Sequence, residues 1–145
     1  MAKPATIRRI ALLIILMALA ESAPAELVVI VNAGREIESI SKQEVVNIFM
    51  GRYRKLADGG SVQPIDVKGD SPERRDFYQK LLDKSLAEIN AYWARLVFSG
   101  RTSPPVSLDS QDDVLDKIAR DQTVIGYVDS AHLDGRVKVV YRLAN

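Results

Sequence analysis

Leu27-Val28-Val29-Ile30-Val31 is an unbroken run of five apolar residues, four of them β-branched. Branching at Cβ favours extended backbone, and a strand that is apolar at every position has to be covered on both faces. A half-solvated strand would alternate instead. The run therefore asks for a sheet enclosed by helices, and it fits the pattern of a largely parallel one. The rest of the chain has to supply that cover.

It supplies four helices with legible starts. Ser41-Lys42-Gln43-Glu44 is a capping box, with Ile40 and Val45 placed for a hydrophobic staple. Val45, Ile48 and Phe49 form the apolar face, and Gly51 gives a left-handed stop. Ser71-Pro72 opens a second helix, to about Lys84, on the stripe Phe77, Tyr78, Leu81, Leu82. Ser85-Leu86-Ala87-Glu88 is another capping box, opening a third helix whose broad apolar face holds Ile89, Tyr92, Trp93, Leu96 and Val97. Ser110 caps a fourth on Val114, Leu115, Ile118 and Ala119. Between them, Val62–Val67, Thr123–Val128 and Val137–Tyr141 read as strands, and Pro104-Pro105 stiffens an extended connection from Thr102 to Ser107. Pro64 points to an edge position or an irregular start for the first of these strands. The alternation predicts one α/β domain with a buried, mixed, mostly parallel sheet flanked by helices.

The domain is expected to begin at residue 26. Lys3, Arg8 and Arg9 precede an apolar run from Ile10 to Ala20, and Ala23-Pro24-Ala25 follows. That order of basic, apolar and small residues predicts a signal peptide over residues 1–25, cleaved after Ala25 or, as a second option, at Ala18-Leu19-Ala20. Its apolar stretch is shorter than the roughly 20 residues a membrane span needs. The expected destination is the periplasm. The leader takes three of the 20 basic and one of the 19 acidic residues with it, leaving 17 and 18 and a formal net charge of −1. Such a balance argues against a nucleic-acid partner. The chain has no cysteine, so disulfides and thiol chemistry contribute nothing.

Catalytic signatures are scarce, and the chain is expected not to be an enzyme. His132 is the only histidine and has no nucleophile motif near it. Asp109, Asp112, Asp113 and Asp116 lack the spacing of a calcium loop, and acids at a helix start are stabilised by the dipole. No metal or cofactor is expected. Tyr92-Trp93 reads as core, and Arg52, Arg54 and Lys55 as a solvated loop after a helix end.

The stretch Val67-Lys68-Gly69-Asp70-Ser71-Pro72-Glu73-Arg74-Arg75 is the candidate binding site. A strand runs through a glycine turn into a capped helix start, where unpaired N–H groups and the positive end of the dipole favour an anion. Ser71, Lys68, Asp70, Arg74 and Arg75 are the candidate ligand-binding residues. The bland reading is a plain N-cap at Ser71, with Pro72 giving no N–H and Glu73 adding negative charge.

Five segments occur in a telling order. They are Ser41 to Gly51; Asp70-Ser71 with Phe77; Ala91-Tyr92-Trp93; Phe98-Ser99-Gly100 with Pro104-Pro105; and Ile125-Gly126-Tyr127-Val128. Together they make the chain resemble small periplasmic proteins related to the substrate-binding component of phosphate ABC transporters. The resemblance implies a single lobe, the second, of a type II periplasmic-binding-protein fold. It implies inorganic phosphate or a related oxyanion as ligand, and the transporter's membrane component or a second copy of the chain as partner. The family's phosphate turn reads Ser-Gly-Thr, and the matching positions here are Ser71-Pro72-Glu73, so only the serine carries over. The resemblance thus implies a solute-binding protein of altered, weak oxyanion affinity. The other expectation is a non-catalytic interaction module that keeps the one-lobe fold without binding a ligand.

Overall fold

The computed structural model describes residues 26–144. The expected leader, residues 1–25, lies outside the described residues. The elements are β1 (Leu27–Asn32), α1 (Lys42–Phe49), β2 (Gln63–Val67), α2 (Pro72–Leu82), α3 (Leu86–Phe98), β3 (Val106–Leu108), α4 (Gln111–Arg120), β4 (Val124–Asp129), a short 3-10 turn (Ser130–His132) and β5 (Val137–Arg142). None of the helices among the described residues is long and apolar enough to cross a membrane.

The five strands form one sheet in the order β3-β2-β4-β1-β5. Its mixed character is as expected, but it is not mostly parallel. β2 runs parallel to β3 and β4, whereas β1 runs antiparallel to both β4 and β5. The apolar run in β1 reports burial on both faces, and a central antiparallel strand satisfies that as well as a parallel one does. Val28 through Val31 are fully buried.

Period-two alternation along β4 sorts the helices onto the two faces. Gly126 faces α4, and a Cβ there would lie 2.9 Å from Val114 and 3.1 Å from Ile118. Only a glycine lets that helix come so close. Tyr127 faces the other way, stacked on Phe77 of α2 at 3.8 Å between ring centroids, with Phe49 of α1 edge-on to Phe77 at 4.8 Å. This aromatic layer joins α1, α2 and the sheet.

The serine caps behave as the sequence indicates. Ser41 and Ser85 close full capping boxes, and Ser71 and Ser110 each accept the N–H of the third helical residue. Three features were not foreseen. Val106–Leu108 pairs with β2 as a short edge strand in what reads as a stiff connection. Asp83 ends α2 in the left-handed conformation, φ 54°. Arg35, buried in a segment that reads as a polar linker, grips Asp58 with two nitrogens at 3.0 and 2.8 Å and the carbonyls of Ser61 and Gln122 with a third.

Pro64 sits inside the sheet because of where the short edge strand begins. Gln63 N–H bonds the Thr123 carbonyl just before β4, so the next nitrogen faces the β3 side. The pairing with β3 starts only at Ile65, and the missing N–H at Pro64 costs no ladder bond.

Candidate functional site

The five candidate residues come from one loop and one helix start. β2 ends at Val67, Gly69 turns the chain at φ +76°, and Ser71 holds the extended conformation of an N-cap. Glycine is the residue for such a positive φ. Ser71 Oγ accepts the Arg74 N–H at 3.1 Å, and the Ser71 carbonyl accepts from Arg75. Pro72 has no N–H. In the first turn only Glu73 keeps an amide for an outside acceptor, and it brings its own carboxylate.

Each nearby cation already has a carboxylate. Arg75 Nη1 lies 2.7 Å from Asp70 Oδ1 and also bonds the Asp70 carbonyl. Lys68 pairs with Asp109 at 3.6 Å on the open surface. Arg74 turns back under the loop, donating from Nε to Asp66 at 3.1 Å, from Nη1 to the Gly69 carbonyl and from Nη2 to Asn90. The hollow beside the helix start, about 310 Å³, is lined by Leu27, Pro72, Glu73, Arg75, Asp76 and Asp129. Three carboxylates there face one guanidinium. An entering anion meets donors whose charge is already balanced.

Asp66 is the residue that the sequence reading missed. It is 2% exposed, in the middle of β2. Its carboxylate accepts from Tyr78 Oη at 2.8 Å, from Tyr127 Oη, from Arg74 Nε and from the Val67 N–H. Burial, reinforced by the Asp66 charge, pushes both tyrosine hydroxyls well above their ordinary range and keeps them protonated donors. At Arg74 burial opposes the charge, but the attraction of Asp66 outweighs it and the guanidinium is held more firmly protonated. This is a buried charge whose lone pairs are met from four directions. A signal was present: an acid flanked by Ile65 and Val67 inside a strand has to find partners in the core.

The other candidates resolve as structure. His132 Nδ1 sits 2.9 Å from Asp112, tying the 3-10 turn to the start of α4. Asp109, Asp113 and Asp116 are taken by Lys68, Ser110 and Arg136 respectively. No cluster of three metal-ligating residues occurs among the described residues. Arg54 bonds Thr102 and the Ser103 carbonyl, anchoring the loop after α1 to the connection that follows α3.

No protein-family pattern and no curated protein sequence matches this chain. Solved structures do. One is an ABC-type phosphate transport receptor from Vibrio cholerae, 12% identical with a TM-score of 0.64 over 80% of this chain and 45% of its own. A phosphate ABC transporter substrate-binding protein described as putative, from Clostridium perfringens and with bound phosphate, gives 12%, 0.64, 80% and 44%. PstS from Borrelia burgdorferi gives 14%, 0.60, 80% and 46%. At these identities the likeness is one of fold. The chain spans less than half the length of each of these structures, and its fold is that of a single lobe of a periplasmic binding protein.

Proposed function

We propose that this chain is a non-catalytic, solute-binding-type domain that takes inorganic phosphate or a related oxyanion at the Ser71 helix start, with weak affinity. The observation that carries the reading is where that start lies. It follows directly on the carboxyl end of β2, in the parallel half of the sheet, which is where α/β domains gather their ligands. Ser71, Arg75 and Lys68 are the contacts, with Asp70 holding Arg75 in place and Arg74 bracing the loop from beneath. The fold of phosphate transport receptors supports the same assignment, as does their role in transport rather than catalysis. The reading places the domain in the periplasm, delivered by its N-terminal leader, with the membrane component of an ABC transporter or a second copy as partner.

Balanced cations set the strength. Because each positive group is matched by a carboxylate, a dissociation constant of about 1 mM or weaker, worth about 4 kcal/mol, is expected. Calorimetric titration with phosphate and sulfate checks this. Saturable heat at millimolar anion that disappears in Ser71→Ala supports the site; the absence of both heat and thermal shift at that concentration removes it.

A specific observation favours a second reading, an interaction module. Phe98 is 95% exposed at the end of α3 and Val97 beside it is 53% exposed. Contiguous exposed apolar side chains mark contact surfaces, and these two adjoin. On this reading light scattering detects a dimer that ignores anions and dissociates in Phe98→Ser.

A further inference from the structure

A groove of about 770 Å³ runs between α1 and α3, away from the Ser71 turn. Its floor is Val46, Met50, Leu82, Ile89 and Tyr92. The Tyr92 hydroxyl donates to the Met50 carbonyl at 2.7 Å, locking the middle of α3 to the end of α1 and fixing the width of the groove. The size falls in the range of roughly 300–1,000 Å³ typical of small-molecule sites.

The rim is basic. Arg52, Lys84 and Arg95 line it against a single carboxylate, Glu88, which is already engaged by Lys84 and by the N–H of Ser85. The Arg95 side chain has neither a hydrogen bond nor an ion pair among the described residues. Among the described residues, the only side-chain partner of Arg52 is the neutral amide of Asn47. Ten other lysines and arginines of the domain reach a carboxylate. A helix dipole accounts for a cation at the end of α3 but not for an apolar trough beside it.

We infer that this groove binds a free single-chain anionic amphiphile, its alkyl chain along the Val46–Ile89 floor and its anionic head between Arg52 and Arg95. Charge complementarity selects the head, because these two guanidiniums have no counterion among the described residues. The concave shape selects a single chain over a lipid surface, which calls for a protruding face instead. The site is separate from the Ser71 turn and stands or falls independently of it.

The test uses dodecanoate below its micelle-forming concentration, titrated into the full chain. Binding is followed by calorimetry and by the fluorescence of Trp93, the only tryptophan, which lies under Tyr92 at 5.2 Å between ring centroids. The expected result is saturable one-to-one binding, at least tenfold tighter than for dodecyltrimethylammonium. Arg52→Glu with Arg95→Glu weakens it tenfold or more, and Ala91→Phe, which fills the groove from an exposed position, abolishes it. Ser71→Ala leaves it unchanged. All these positions are at or near the surface, so a retained cooperative thermal transition confirms that the variants fold. The inference is overturned by equal affinity for the cationic amphiphile, by indifference to the arginine changes, by failure to saturate, or by binding only to phosphatidylglycerol vesicles.

Discussion

The Ser71 turn and the α1–α3 face are both rich in arginine and lysine, yet they are built oppositely. At the turn, Lys68, Arg74 and Arg75 are each matched by an aspartate. In the second region, the loop from Arg52 to Lys55 and the end of α3 carry no acid at all, and the Arg95 side chain has no partner among the described residues. The sequence shows similar basic clusters in both places. What separates them is pairing: a cation beside a carboxylate offers an arriving anion little net field, whereas an unmatched one offers all of its own. Capacity for anions is thus reduced where the local backbone invites them and retained where it does not.

The comparison can be broken hardest from beneath the turn. Asp66→Ala leaves the half-buried Arg74 without its counter-charge and two buried tyrosine hydroxyls without an acceptor. A loss of about 3–5 kcal/mol is expected, read by chemical denaturation. A loss under about 1 kcal/mol would mean that the network is dispensable.

Acid titration probes pairing at a second place. The Arg35 guanidinium beside Asp58 holds that carboxyl below the usual carboxylate range. A lowered folded-state value means that the unfolded chain binds the proton more readily. The stability from this pair is therefore present above pH of about 4 and is lost as pH falls through the folded value. Arg35→Met should flatten that part of the acid limb in pH-dependent melting. An unchanged slope would show that the pair contributes nothing to it.

Smaller effects sharpen the contrast at the surface. Ser71→Ala removes a cap, at a cost of about 1 kcal/mol. Asp70→Asn should change stability by less than about 1 kcal/mol, as surface pairs do, while raising phosphate affinity a few-fold by freeing Arg75. At the end of α3, Phe98→Ser should shift stability by no more than about 0.5 kcal/mol, since a solvated side chain has no packing to lose. A large fall there would show that Phe98 is packed in solution, as in a dimer.

Much of this architecture is legible in the sequence because it is local. Serine caps, the β1 run and the position of the Ser71 turn all depend on residues within a few positions of one another, and they appear where expected. The direction of β1 does not, because burial on both faces says nothing about polarity. β3 was too short to register beside two prolines. The Ser71 helix start forms where the sequence puts it, but the carboxylates that pair its cations are not legible in the sequence. Arg74 finds Asp66 eight residues back, and Lys68 finds Asp109 across to the edge of the sheet, so these pairings exist only once β2, β3 and α2 are assembled. Asp66 is visible as an acid inside an apolar strand, whereas its partners Tyr78 and Tyr127, 12 and 61 residues away, are set only by the fold.

The central claim is that the Ser71 turn keeps the place of an oxyanion site while its chemistry has been turned down. Pro72→Gly with Glu73→Thr returns a first-turn N–H, adds a hydroxyl and removes a negative charge, without touching the fold beneath. Phosphate calorimetry on this double variant and on the unaltered chain, in the same buffer and salt, tests the claim directly. The account predicts a dissociation constant at least tenfold lower in the variant than the roughly millimolar or weaker value expected of the unaltered chain. Equal affinities in the two proteins, or tight binding by the unaltered chain that survives Ser71→Ala, would contradict it.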